Sequence, residues 1–200
     1  MQFDPRASDR LDEYDLFTRC VIPRPIAWVS TVSAAGVANL APFSFFGAVC
    51  GEPPGVVLGV GRRHGVPKDT AQNLLGNGEA VVHVPHRPLV EAMVKTSADV
   101  VPEVDEFDLA GLAKAPSVKV RPPRVAQAAI ALECRMVHHF ELGEGPTDVF
   151  FLEVLCYHVA DELLDARGLP DAGKIAAVGR LGNDEYCQLG EVFSLARPRP

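Results

Sequence analysis

Short apolar segments separated by turns run along most of the chain, and their hydrophobic pattern predicts strands. Apolar and β-branched residues fill four segments of the first half, residues 26–32, 39–49, 55–60 and 80–84. The polar stretch 33–38 between the first two predicts a hairpin connection. The unbroken apolar run 55–60 is typical of a strand that is buried on both faces.

Two longer strands are predicted in the second half. Residues 132–142 alternate with a period of two, which predicts a solvent face and a core face. The core face consists of Leu132, Cys134, Met136, His138, Phe140 and Leu142. Residues 149–159 are apolar on both faces of the predicted strand, as expected of a central barrel strand. Residues 170–195 have the character of loops and short helices.

Helices are predicted only in the connections. Residues 68–75 follow a proline, and Asp69 and Thr70 are expected to cap the free amides at the helix start. A glycine just beyond this segment is expected to end the helix. Residues 88–95 form a second candidate, with Leu89, Ala92 and Met93 on one face.

Six or more strands with helices tucked between them predict a mainly β fold, a single antiparallel barrel domain over residues 1–200. A parallel sheet would need regular βαβ alternation, and the long strands of the second half lack intervening helices. The chain contains no internal repeat and no convincing linker.

Composition and charge exclude several classes of function. The net charge of -7 opposes binding to nucleic-acid phosphates. No stretch approaches the ~20 apolar residues of a membrane span, and residues 1–15 lack the features of a secretory signal. The five cysteines form no C-x-x-C pair, so a cytoplasmic location with reduced thiols is expected.

Motifs for three common chemistries are absent from the sequence. The six histidines show no zinc-ligand spacing, so no metal site is expected. No nucleophile elbow is present, and no G-x-G-x-x-G follows a predicted strand, which argues against a Rossmann domain.

Polar residues inside apolar strands give the most informative pattern. Ser30, Thr31, Asn39 and Ser44 need hydrogen-bond partners in such places. Backbone groups and turns could supply these partners, and so could water or a ligand. The residues alone leave these alternatives open.

The segment that contains these residues resembles the signature of a known family. Residues 23–49, PRPIAWVSTVSAAGVANLAPFSFFGAV, resemble the flavin reductase-like family, whose members fold as an FMN-binding split barrel. The family pattern continues in order through EPPGVVLGVG, GVPKDTAQNLL, SADVVPEVDEFDLAGLAKAPS, VAQAAIALECRMV and GRLGNDEYCQLGEVFSLARP. The resemblance implies a homodimer with the flavin near the subunit interface.

The resemblance also implies which residues border the flavin. They are Ser30, Thr31, Asn39, Ala41, Pro42, Phe43 and Ser44. Such a strand offers flat apolar contact to the isoalloxazine ring, while amides and hydroxyls pair with the polar atoms of its pyrimidine end. Arg24 and Trp28 are further candidates, and simple core filling is an equal alternative for Trp28.

A second group of residues is predicted to bind the flavin phosphate. Lys68, Thr70 and Asn73 lie at the start of the predicted helix, where free N–H groups carry positive partial charge. Alone, this group would be better explained by helix capping. Together with the strand segment, it indicates phosphate binding.

Other positions leave alternatives open. By resemblance, Gly179–Gly182 and Tyr186 lie near the flavin pocket, where Arg180 contacts nucleotide phosphates or closes the dimer interface. Gly47, Gly59 and His83 depart from the residues frequent in the family. The loss of polar groups at these positions would loosen flavin binding or make room for a different substrate.

The function implied by the resemblance is hydride transfer from NADH or NADPH to N5 of FMN, with FAD less expected. Alignment of the two rings suffices for this step, so no catalytic side chain is predicted. The electron acceptor, or an oxygenase component that takes the electrons, is not identifiable. The alternatives are an electron carrier resembling flavoredoxin and a non-catalytic flavin-binding or sensing protein.

Overall fold

The computed structural model describes residues 2–4 and 13–198, so the expectation for residues 1–15 falls largely outside it. Seven strands form the main sheet: β2 (Ala27–Val32), β3 (Ala38–Phe43), β4 (Phe45–Gly51), β5 (Pro54–Gly61), β6 (Glu79–His83), β9 (Ile130–Leu142) and β10 (Thr147–Val159). Their order is β3-β2-β6-β9-β10-β5-β4, and every neighbouring pair is antiparallel. The predicted antiparallel architecture is thus confirmed.

A bend at Ser44 closes the sheet. β3 and β4 are the two edge strands, yet only Ser44 separates them in the chain. The sheet therefore has to curl until its edges come together at Ser44, which makes it a barrel that is split between β3 and β4. The prediction of one strand over residues 39–49 is wrong at this bend. The apolar pattern continues on both sides and hides the bend, although β3 is largely buried and β4 is partly or fully exposed.

The barrel interior holds the main apolar core. Its fully buried members include Val29 from β2, Leu58 from β5 and Phe150 from β10. On β5 only Val56, Leu58 and Val60 are buried, while the alternate residues are half exposed. The prediction that both faces of this strand are buried is therefore wrong. A barrel strand turns only one face to the interior.

The predicted faces of β9 are only partly correct. Cys134 is buried as predicted, but Glu133 on the predicted solvent face is also fully buried. Leu142, predicted in the core, is 61% exposed. A register shift opposite Phe151/Leu152 inserts Val137 into the ladder, and one inserted residue reverses the alternation beyond it.

Two smaller sheets flank the barrel. β1 (Arg24–Pro25), β11 (Val178–Arg180) and β12 (Tyr186–Gln188) form one, and β7 (Lys114–Ala115) pairs with β8 (Arg124–Val125) in the other. The prediction of loops and helices over residues 170–195 therefore missed two strands. Each has three residues, too few to display an alternating pattern.

Five α-helices lie in the described part of the chain: α1 (Glu13–Cys20), α2 (Asp69–Asn77), α3 (Val90–Lys95), α4 (Glu106–Ala110) and α5 (Ala172–Ile175). The predicted face of α3 is confirmed, since Met93 is buried and Leu89 and Ala92 pack against the same cluster. Within the described ranges, no helix has the length and apolar character needed to cross a membrane.

The ends of α2 differ in part from the prediction. Lys68 is the N-cap residue, and its side chain does not cap the helix start. The predicted capping by Asp69 and Thr70 is therefore wrong, because both are already helical residues. Gly78 ends the helix as expected, with φ of 72° and its N–H bonded to the carbonyl of Leu74.

Candidate functional site

Two adjoining clefts open where β3 bends into β4. The first cleft, of about 380 Å³, lies between β3, the start of α2 and residues 96–102. The second cleft, of about 870 Å³, lies between the bend, α1 and the small sheet that contains β11 and β12. Pro42, Phe43, Lys68 and Ser97 line both clefts. The two spaces therefore meet beside the end of β3.

Seven of the ten predicted site residues line these clefts, namely Asn39, Ala41, Pro42, Phe43, Ser44, Lys68 and Thr70. β3 and the start of α2 bring them together, although about 25 residues of chain separate the two groups. Thr31 and Asn73 are buried among the side chains beneath the first cleft. Ser30 is fully buried, and its Oγ has no hydrogen-bond partner within the described residues.

A buried hydrogen-bond network joins four of the predicted residues. The Asn39 amide donates to Oγ1 of Thr31 at 3.1 Å and to Oγ1 of Thr70 at 2.9 Å. The Asn73 amide donates to the same Thr31 oxygen at 3.0 Å. This network fixes α2 against β2 and β3. It also leaves the hydroxyl proton of Thr70 available to a ligand, because Thr70 acts only as an acceptor here.

Lys68 is the cation at the junction of the clefts. Its ammonium group lies 5.9 Å from the centre of the Phe43 ring, within range of a cation–π interaction. Burial lowers the pKa of Lys68, and the nearby positive charge of Arg63 lowers it further. An anionic ligand would reverse both effects, because it would offset the desolvated charge.

Glu106 is a buried carboxyl group on the wall of the first cleft that the sequence pattern did not indicate. Its Oε2 accepts the backbone N–H of Leu40 at 2.9 Å, an N–H on the open edge of β3. Burial raises the pKa of Glu106, although this hydrogen bond acts in the opposite direction. Glu106 thus gives a hydrogen-bond partner to one N–H group on the edge of β3, the strand that carries much of the site.

Arg24 fixes the wall of the second cleft. This buried guanidinium donates to the carbonyls of Thr18, Val21 and Leu181, and Nε donates to Oγ of Ser44 at 3.2 Å. The contacts join the end of α1, the β11–β12 turn and the bend of the barrel strand. The Ser44 hydroxyl keeps its own proton for another acceptor.

Arg62 is a second guanidinium on this cleft. Its Nε and Nη2 donate to the two oxygens of the buried Asp148, both at 2.9 Å, and Nη2 also contacts Glu141. The hydrogen bonds from Arg62 lower the pKa of Asp148, against the effect of burial. The sequence separation of 86 between Arg62 and Asp148 explains why no sequence motif revealed the pair.

The predicted Gly179–Gly182 segment also reaches the second cleft, within the same chain. Arg180 lies over the Tyr186 ring at 4.6 Å and donates to its hydroxyl. Both residues line the cleft.

Two of the three departures from the family pattern also become clear. A Cβ at Gly59 would lie 3.0 Å from Cβ of Phe45, so this glycine makes room for Phe45.

His83 and Trp28 have structural roles. Both are fully buried. The Nδ1 of His83 lies 2.8 Å from the carbonyl of Trp28, and its Nε2 accepts the N–H of Val125 at 2.9 Å. Trp28 donates its indole N–H to Thr96 at 2.9 Å. Of the two alternatives for Trp28, the structure favours core filling.

The barrel, closed at the bend between β3 and β4 and flanked by short helices, is a split barrel of the flavin-reductase type. Comparison with known families agrees, since residues 18–177 match the flavin reductase like domain. The chain belongs to this family, and the resemblance noted in the sequence is confirmed.

Similar proteins cover nearly the whole chain. An uncharacterised protein of Halalkalibacterium halodurans is 41% identical over 99% of this chain and 97% of its own length. The structure of nitrilotriacetate monooxygenase component B from Bacillus cereus has a TM-score of 0.93 at 35% identity, covering 98% of both chains. A 2-nitrobenzoate 2-nitroreductase of Pseudomonas fluorescens has a TM-score of 0.89 at 28% identity, covering 99% of this chain and 96% of its own.

Proposed function

We propose that this chain binds FMN across the two clefts and uses it as an NAD(P)H-dependent oxidoreductase. The observation that carries the proposal is the junction at Phe43 and Lys68, where an apolar wall meets a cation at a helix start. FMN has the same two parts, a planar ring and a terminal phosphate. FAD would have to place a further adenylate beyond this cationic end.

The phosphate is assigned to the start of α2. The N-cap residue Lys68 does not cap the first backbone N–H groups of this helix with its side chain, and uncapped N–H groups favour anions. Lys68 adds a full positive charge, and Thr70 offers a hydroxyl proton. Arg63 lines the same cleft, where it pairs with Asp99. These donors suit a phosphate monoester.

The ring is assigned to the end of β3. Ala41, Pro42 and Phe43 offer an apolar wall that excludes water, and Ser44 and Arg24 offer polar contacts at the bend. When bound, FMN supplies a two-electron centre that accepts a hydride. The protein's own contribution is to hold the ring and to keep one side of it open to the second cleft.

The nicotinamide dinucleotide is assigned to the second cleft. Its volume of about 870 Å³ lies in the range of pockets for sizeable ligands. Arg180 and Tyr186 form its far rim, and Arg62 lies on its wall. A dinucleotide pyrophosphate would interact favourably with Arg180, whereas Arg62 is already held by Asp148 and Glu141.

A homodimer and a separate electron acceptor complete the proposal. Large apolar side chains are exposed along three strands of the main sheet, β4, β9 and β10: Val49, Val137, Phe140, Leu142 and Tyr157. Exposed apolar side chains of this kind support association of two copies. By analogy with the Bacillus cereus monooxygenase component and the Pseudomonas fluorescens nitroreductase, the acceptor is an oxygenase component or a small oxidised molecule.

The test is an anaerobic titration of the FMN-loaded protein with NADH and, separately, with NADPH. Flavin absorbance should bleach with at least one nucleotide, much faster than it does for free FMN at the same concentration. A yellow protein that is inert to both nucleotides would instead indicate a carrier or sensor. A protein that oxidises nicotinamide only with excess added flavin would use flavin as a substrate.

A further inference from the structure

Three side chains with metal-ligating atoms meet on β9 and β10, outside both clefts. Glu133 pairs directly with Cys156 in the antiparallel ladder, and His158 lies two residues further along β10. A carboxylate oxygen, the thiol sulfur and an imidazole nitrogen all lie within 4.8 Å of one another. None of the three residues lines the first or the second cleft.

The contacts of His158 distinguish a cation site from a nucleophilic relay. Its Nε2 lies 2.5 Å from Oε1 of Glu133 and 3.9 Å from Sγ of Cys156. In a relay, the imidazole uses one nitrogen for the thiol and the other for the carboxylate. Here the carboxylate oxygen of Glu133 and the thiol sulfur of Cys156 both approach Nε2 of His158. The three potential metal-ligand atoms therefore lie around one point.

Glu133 is a well-fixed ligand for such a point. Its side chain is fully buried, and its two oxygens accept the N–H groups of Val118 at 2.8 Å and Lys119 at 2.5 Å. A carboxylate has about four lone-pair sites, so these bonds leave capacity for a cation. His158 is 22% exposed, which gives an ion a route from solvent.

We propose that Glu133, Cys156 and His158 bind one zinc ion, with water as the fourth ligand. Tetrahedral zinc places nitrogen and sulfur ligands about 3.6 Å apart, and nitrogen and oxygen ligands about 3.4 Å apart. The Sγ–Nε2 distance of 3.9 Å is close to this value. The Nε2–Oε1 distance has to widen by about 0.9 Å, which rotation of the partly exposed His158 permits.

The chemical types of the three ligand atoms indicate which metal would bind. A thiolate together with an imidazole favours zinc over magnesium or calcium, which prefer oxygen ligands. Cys156 loses its proton to solvent when the ion binds. The ion would also brace Glu133, which holds the backbone of Val118 and Lys119. The site lies outside both clefts, so this proposal is independent of the flavin proposal.

The test is a zinc titration of metal-free protein in competition with a chromophoric chelator. Wild type should bind one ion per chain. Cys156→Ser and His158→Gln should each weaken binding by more than about 10-fold, while Cys50→Ser, which removes an exposed thiol on β4, should have no effect. Circular dichroism of each variant controls for folding.

Replacement of zinc by cobalt in the wild type gives a second readout that needs no variant. A thiolate-to-cobalt charge-transfer band and tetrahedral d–d bands are expected. The proposal is overturned if wild type binds no zinc stoichiometrically or if cobalt gives no thiolate band. Zinc affinity unchanged in both folded variants would overturn it as well.

Discussion

Removal of the Lys68 charge is expected to weaken FMN binding without weakening riboflavin binding to the same extent. Lys68 lies at the start of α2 and over the ring of Phe43. Among the residues that the structure describes, Lys68 forms no salt bridge, so its ammonium group is available to a ligand. Riboflavin has the same ring system as FMN but no phosphate, and it therefore isolates this interaction.

The magnitude follows from the kind of contact. A hydrogen bond to a charged group contributes about 1.5–3 kcal/mol. Each 1.4 kcal/mol corresponds to a factor of about ten in the dissociation constant. Lys68→Ala should therefore raise the Kd for FMN about 10- to 150-fold. Lys68→Arg should retain most of the affinity, because it keeps the positive charge.

Quenching of flavin fluorescence during titration with apo-protein measures both dissociation constants. Lys95→Ala is the matched control, since Lys95 is exposed at the end of α3 and lies outside both clefts. Equal losses for FMN and riboflavin, or no loss for FMN, would refute the assignment of Lys68 to the phosphate.

Three further predictions concern buried groups. Burial lowers the pKa of His83 to about 4. As the pH falls, this histidine therefore takes up a proton in the unfolded chain before it does so in the folded protein. Stability should be complete above about pH 6.5 and should fall toward pH 4 by up to about 1.4 kcal/mol per pH unit in urea unfolding. Thr96→Val should destabilise by about 1–3 kcal/mol, because it leaves the Trp28 N–H unpaired, as followed by tryptophan fluorescence. Gly59→Ser should cost about 1–3 kcal/mol in urea unfolding, since its Cβ would lie 3.0 Å from Cβ of Phe45.

Each of these predictions has its own control. His83→Gln should reduce the slope between pH 6.5 and 4, where His86 and the paired carboxylates Glu133 and Asp148 also contribute, and an unchanged slope would mean that those other groups cause it. Thr96→Ser keeps the hydroxyl and should stay closer to wild type than Thr96→Val does. Phe45→Gly removes the Cβ that the new side chain would contact, so that Gly59→Ser should cost less in that background. Additive effects would contradict a direct contact.

Local patterns in the sequence were sufficient for much of the fold. The hairpin of β2 and β3, the buried face of α3 and the glycine that ends α2 each depend on residues close together in the chain. The family resemblance then supplied the cleft residues from Asn39 to Ser44. The hydrophobic pattern and the family signature both succeed where the predicted residues lie in one strand or at the start of one helix.

Long-range contacts explain what the sequence could not predict. The bend at Ser44 depends on barrel closure, and both sides of it are equally apolar. Glu133 is buried because the distant Val118 and Lys119 donate to it. Arg62, directly after β5, likewise pairs with Asp148 on β10. Charged residues with a period of two indicate solvent exposure until such a partner is known.

A crystal structure of the protein with FMN tests the central claim most directly. We predict the flavin ring against Pro42 and Phe43, with its phosphate at the start of α2 within hydrogen-bond distance of Lys68 and Thr70. A structure in which the protein's own side chains fill the first cleft, or in which FMN lies elsewhere, would contradict the account.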